Sequence, residues 1–190
     1  MTRINENDIE WGERDEGETA FRRKQLSDAA GGREIGCSLY ELPPGKRSWP
    51  YHYHTANEEA LYVLSGSGTL RVGVGSGDGG SDTGDRDDNG IEDDGDLASD
   101  GGDSAIESLV LEAGDYAAFP TDETGGHQVV NDADEPLRYL LVSTMTEPDI
   151  TVYPEMDKFG VYVGAAPGGR EDRPFEGYYR IDDDVDYWEE

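Results

Sequence analysis

From residue 35 onward, apolar and polar positions alternate in short runs instead of recurring at helical spacing. The runs are Ile35 to Leu42, Ala60 to Leu64, Thr69 to Val74, Ser108 to Leu111, Tyr116 to Phe119, His127 to Val130 and Arg138 to Ser143. They are rich in β-branched and aromatic residues, and Gly, Pro, Asn or Asp stands in nearly every gap, which is the pattern of antiparallel strands joined by turns. No segment holds a 3.6-residue apolar period over three turns, so a helical or α/β core has no material. An all-β domain over residues 35–145, folded as a sandwich or jelly-roll barrel, is the expectation.

The flanks differ from this middle. Residues 1–34 are polar and mixed, with one candidate strand around Phe21 to Leu26, and are expected to pack outside the barrel. Residues 75–105 hold eleven acidic residues, one arginine and almost no apolar side chain, too little to offset the entropy of ordering, so a mobile surface loop is expected there. Residues 146–190 alternate Tyr, Pro, Gly and charge. That stretch is too aromatic for a disordered end and is expected to pack on the barrel or on a second subunit.

Charge narrows the functional classes. With 15 Lys and Arg against 44 Asp and Glu, the formal net charge is -29, which repels nucleic-acid phosphates and anionic lipid surfaces. The acids run through the whole chain and lysine is limited to Lys24, Lys46 and Lys158, so a halophilic, salt-adapted surface is favoured over disorder. Cys37 is the only cysteine, which excludes an intrachain disulfide and a thiolate zinc finger and fits a reducing cytoplasm. Met1 to Glu18 carries charges throughout and has no apolar core of an export signal, so a soluble cytoplasmic protein is expected.

The chemistry concentrates on three histidines, His52, His54 and His127. On a strand, residues two apart share a face, so His52 and His54 project side by side as imidazole ligands do. Glu59 lies at an odd offset and returns to the histidine side only if the chain turns at Thr55 to Glu58; Glu58 is the alternative carboxylate. Three imidazoles and one carboxylate suit one divalent transition metal: Fe, Mn, Ni, Zn or Co. A lone H-x-H on a strand is more often two half-buried polar residues, and the residues around it change that balance.

Gly45, His52, His54, Glu59 and Gly66 fall on G-x(5)-H-x-H-x(3,4)-E-x(6)-G with one extra residue after Gly45. Gly114, Pro120, His127 and Asn131 fall on G-x(5)-P-x-G-x(2)-H-x(3)-N, with two extra residues before His127 and Asp122 where the pattern has Gly. These two segments resemble the paired motifs of the cupins, and the chain is similar to single-domain cupins of bacteria and archaea, a halophilic archaeon among the expected sources. The resemblance implies a double-stranded β-helix, His52, His54, Glu59 and His127 as metal ligands, Asn131 as a structural residue and, by family habit, a homodimer. Gly125 and Gly126 are expected to supply the turn flexibility that Asp122 does not.

Weaker signals fail on their context. Gly75 to Gly80 satisfies G-x-G-x-x-G, but no helix follows and the next residues are acidic. Asp85 to Asp96 reads as a calcium loop without flanking helices or a terminal Glu, so a solvated acidic loop is favoured. No nucleophile elbow is present, and Cys37 reads as a small buried hydrophobe. Trp49, Tyr51, Tyr53, Tyr62, Phe119 and Gln128 flank the ligands and either line a pocket mouth or pack the barrel. Two functions follow: a metal-dependent dioxygenase, isomerase or decarboxylase acting on a small oxygen-bearing molecule, or a non-catalytic module that binds such a ligand.

Overall fold

A computed structural model describes residues 2–73, 106–168, 172–183 and 185–188. The acidic loop expected over residues 75–105, with its calcium-like stretch and glycine-rich fingerprint, lies outside the described residues. Every strand pairing is antiparallel.

The largest sheet has six strands. They are β1 (Gly12–Glu16), β2 (Thr19–Gln25), β3 (Ile35–Leu42), β5 (Glu59–Ser65), β8 (Tyr116–Phe119) and β10 (Leu137–Thr144), in the order β1-β2-β3-β10-β5-β8. A second sheet runs β13-β12-β11-β4, made of β4 (Tyr53–His54), β11 (Asp149–Tyr153), β12 (Lys158–Val163) and β13 (Phe175–Arg180). The third, β7-β6-β9, comprises β6 (Ser67–Gly73), β7 (Ile106–Glu112) and β9 (His127–Val130). A four-residue helix, α1 (Leu26–Ala29), separates β2 from β3.

The core forms where alternate residues point inward. Tyr40, Leu42, Leu61, Val63, Leu70, Leu111, Phe119, Val129, Leu137 and Tyr139 make one buried cluster, with Tyr40 and Tyr139 stacked at 5.2 Å between ring centroids. Phe21 of β2 joins them at 4 % exposure, so the N-terminal segment contributes to this core as well as to the sheet edge. Gly66 joins β5 to β6 at a φ of +84°, and a Cβ there would stand 2.5 Å from the Pro136 carbonyl oxygen, so both conformation and space demand glycine.

Residues 47–54 stitch the sheets together. Arg47 bridges to both Thr19 and Val130, and His52 bridges to His127, which ties β9 to the approach of β4. The aromatic tail supplies β11, β12 and β13, and β11 pairs with β4 in the register Thr151 to His54. The chain's last quarter thereby extends the sheet that carries a candidate ligand.

Candidate metal centre

His52 stands just before β4 and His54 ends it, while Glu59 opens β5. The odd offset between His54 and Glu59 is absorbed by the turn at Thr55 to Glu58. The buried Asn57 side chain pins that turn, donating to the Thr146 carbonyl at 3.0 Å and accepting the Thr146 N–H at 2.7 Å. Thr55 N–H adds a bond to the Ile150 carbonyl at 3.0 Å. Glu59 ends up buried at 8 % exposure, whereas Glu58 is exposed, so the structure selects Glu59.

His52, His54 and Glu59 each offer one ligand atom within 4.8 Å of the others, a cluster able to hold a metal ion. His127 reaches the same carboxylate: its Nε2 lies 3.3 Å from Glu59 Oε2, and His54 Nε2 lies 3.5 Å from that atom. The His127 ring stacks on Phe119 at 3.8 Å and lies 4.8 Å from the His52 ring between centroids.

The other ring nitrogens decide the protonation. His52 Nδ1 lies 2.8 Å from the Pro50 carbonyl oxygen and His127 Nδ1 lies 2.9 Å from the Gly125 carbonyl oxygen, so both nitrogens donate. His54 Nδ1 lies 2.7 Å from Asp149 Oδ2 and donates to it. A neutral imidazole that donates through Nδ1 presents a lone pair at Nε2. Those of His54 and His127 converge on Glu59 Oε2, which is buried with no hydrogen-bond donor. Lone pairs facing a carboxylate oxygen repel unless a cation stands among them, and the donor set of imidazole nitrogen and carboxylate oxygen is that of a divalent transition ion.

The electrostatics of the three groups differ. Burial, then the neighbouring His127 and His54, push His52 down to about 3, keeping its imidazole neutral. Burial alone would raise the Glu59 carboxyl, but the adjacent His127, His54 and His52 outweigh it and hold it at about 2. Burial would lower His54, yet the bond to Asp149 and the charges of Glu59 and Asp149 outweigh it and raise its pKa.

The two glycines before His127 serve space, not flexibility. Glu123–Gly125 forms a 3-10 turn, a Cβ on Gly125 would stand 1.9 Å from the Pro120 carbonyl oxygen, and one on Gly126 would stand 2.3 Å from the Tyr51 hydroxyl. The two extra residues ahead of His127 are thus folded tightly under the histidine. Asn131, fully buried, donates to the Leu42 carbonyl at 2.7 Å and to the Glu135 carbonyl at 2.9 Å, clamping the strand that follows.

Among the flanking residues, Tyr51, Phe119 and Gln128 are buried and Tyr62 is exposed on the outer face. Gln128 donates to the Trp49 carbonyl at 3.0 Å and accepts from Arg71 at 2.7 Å. Sequence reasoning missed Asp149, Thr151, Tyr153 and Tyr162. All four sit on the β11 and β12 face that carries His54, and a run of alternate polar and aromatic residues in the tail was the available signal.

No family model and no curated protein matches the chain. Two solved structures align with it over most of both lengths. A cupin-superfamily protein of Silicibacter pomeroyi, named a sugar phosphate isomerase, has a TM-score of 0.65 at 24% identity, covering 95% of this chain and 94% of its own. An Acidithiobacillus ferrooxidans protein described as of sugar phosphate isomerase type has a TM-score of 0.63 at 24% identity, covering 90% and 83%. This chain has the cupin fold. The antiparallel sheets, with the two motif-bearing segments bringing His52, His54, Glu59 and His127 to one place, are the jelly roll that the sequence suggested. Among the described residues no helix is long and apolar enough to cross a membrane.

Proposed function

We propose that this cupin is a metal-dependent enzyme acting on a small oxygen-bearing molecule, with isomerase chemistry ahead of dioxygenase or decarboxylase chemistry. The observation that carries the reading is the orphaned Glu59 Oε2, facing imidazole nitrogens whose protons point elsewhere. His52, His54, Glu59 and His127 would hold the ion. Bound there, it supplies a Lewis acid that polarises a substrate oxygen.

The chain's own residues favour a hydroxylated, anionic ligand. On the face carrying His54, the hydroxyls of Tyr153, Tyr162 and Tyr178 form a row with spacings of 3.4 and 2.9 Å. The Tyr153 ring stacks 5.9 Å from His52, and burial holds its phenol protonated at about 12, a donor at neutral pH. Lys158 Nζ lies over the Tyr153 and Tyr178 rings and, among the described residues, makes no ion pair with a carboxylate. The proteins of similar fold named sugar phosphate isomerases handle ligands of this kind by name, which supports the isomerase form.

A binding module is the second reading. Among the described residues Glu59 and Asp149 are the buried carboxylates, the first reserved for the ion and the second bonded to His54, which leaves no obvious base. A cytoplasmic homodimer with a salt-adapted surface completes the proposal, supported by the net charge of -29 and exposed aromatics on β13.

The test combines elemental analysis with turnover. Protein purified without chelators should carry about one equivalent of a transition ion, lost on His52→Ala, and should interconvert aldose and ketose phosphates by NMR. Metal with no turnover of those substrates, and no oxygen uptake by the Fe(II) form, would leave the binding module. No metal after exposure to Fe(II), Mn(II), Ni(II), Co(II) and Zn(II) would overturn both.

A further inference from the structure

We propose that Asp149 is the positioning residue of the centre, setting the proton, orientation and donor strength of His54; the inference rests on the metal-binding reading above. Asp149 is fully buried on β11 and touches the cluster only through His54. Both of its oxygens are committed. Oδ2 accepts from His54 Nδ1 at 2.7 Å and from the Thr151 hydroxyl at 3.4 Å, and Oδ1 accepts the Ala56 N–H at 3.0 Å. It is therefore an outer partner and not a fifth ligand.

The three histidines are supported differently. His52 and His127 each rest on a carbonyl two residues back in their own segment, Pro50 and Gly125. A carbonyl carries no formal charge and moves with the strand that bears its histidine. His54 alone is held by an ionisable side chain, and that side chain comes from a strand 95 residues later. An imidazole whose N–H is bonded to a carboxylate donates more strongly through its other nitrogen than one bonded to a carbonyl, and losing such a partner typically weakens metal binding by about 10–100-fold.

Charge gives the second argument. Glu59 and Asp149 are the two carboxylates buried at the centre among the described residues, and together their formal charge matches that of a divalent cation. Glu59 alone would leave one positive charge in a buried site, where an uncompensated charge is costly. Asp149 thus matches the centre to a doubly charged ion without occupying a coordination position.

Asp149 also braces the Thr55 to Glu58 turn through Ala56, so a purely structural role must be separated. Asp149→Asn does this, because the amide oxygen still accepts from Ala56 while the charge and the carboxylate acceptor at His54 are lost, leaving the neutral Thr151 hydroxyl, 3.1 Å from Nδ1, as the partner of that nitrogen. Co(II) binding is measured by chelator competition in parent and variant, with Co(II) absorption spectra and the melting temperature of the metal-free proteins. The expected result is a loss of affinity of about 10–100-fold with a shifted Co(II) spectrum and a largely retained melting temperature. Equal affinity and an unchanged spectrum in the variant would overturn the inference while leaving the metal reading intact. A parent that binds no Co(II) would overturn the metal reading itself. Should the variant not fold, nitrogen-15 NMR of the Zn(II)-loaded parent decides: His54 must show a strongly deshielded Nδ1 proton, and its absence counts against Asp149.

Discussion

His52 and His127, 75 residues apart in sequence, exchange both backbone hydrogen bonds, with His52 N–H to the His127 carbonyl at 3.2 Å and His127 N–H to the His52 carbonyl at 2.9 Å. The bridge sets two rings from different sheets at 4.8 Å and makes each histidine's backbone a support for the other's side chain. Replacing either imidazole leaves this backbone pairing in place. His52→Ala and His127→Ala are therefore expected to fold and to lose metal. Added Zn(II) should raise the parent's melting temperature, by the equivalent of about 2.7 kcal/mol at a hundredfold excess over Kd, and should leave both variants unmoved. Differential scanning calorimetry reads this directly.

Glu59→Gln should move metal affinity and metal-free stability in opposite directions. An amide donates where the carboxylate only accepts, and the Nε2 atoms of His54 and His127, 3.5 and 3.3 Å from Oε2, are free to receive it. Satisfying this orphaned group should stabilise the metal-free protein by about 1–3 kcal/mol, while metal binding collapses. Paired denaturant melts and metal titrations check both signs.

The metal-free protein should be most stable near pH 6.5. His52 is lowered from 6.5 to about 3 and Glu59 from 4.5 to about 2, so on the acid side the unfolded chain binds protons that the folded chain refuses. Stability is therefore lost as pH falls through this window. His54 has a raised pKa, so its contribution is complete below 6.5 and is lost as pH rises through the folded value. Thermal melts of chelator-treated protein on either side should decline both ways; a plateau through the acid side would contradict the burial argument for His52 and Glu59.

Gly125→Ala should injure the centre from behind. Its Cβ would stand 1.9 Å from the Pro120 carbonyl, so the turn carrying the acceptor of His127 Nδ1 must shift. A loss of about 1–3 kcal/mol is expected, with weakened metal binding. Leu61→Ala, in the fully buried core away from that turn, should cost about 2–5 kcal/mol and leave the metal stoichiometry unchanged.

Salt should stabilise this chain. A net charge of -29 repels itself over a Debye length of about 10 Å at 0.1 M ionic strength but only about 3 Å at 1 M. The melting temperature should climb steeply with KCl, and a flat response would remove the case for salt adaptation.

The sequence was most legible where one face of a strand is buried. Ile35–Leu42, Tyr116–Phe119 and His127–Val130 fall where alternation placed them, because period-two burial is what a jelly roll imposes. β4 was legible only through the H-x-H, since two residues show no period of their own, and β1 escaped notice because all five of its residues are exposed. The tail strands were hidden by Gly160 and Gly177, where glycine looks like a strand breaker. In the fold, Gly160 leaves room for the rings of Tyr162 and Tyr178, and Gly177 for Tyr179. His52, His54, Glu59 and His127 were readable from motif spacing, but Asp149 was not: one aspartate among so many acids carries no mark until the register of β11 against β4 sets it behind His54.

That register also orders events in time. The histidine H-x-H is made early in synthesis, yet the segment bracing the turn at Thr55, through Thr146, Asp149, Ile150 and Thr151, is made some ninety residues later. On the ribosome, the nascent chain has the first two imidazoles and Glu59 in hand long before it can lock them. A site built this way is complete only once the strands after Thr146 have been made and paired, so any ion it takes would find a nearly finished barrel.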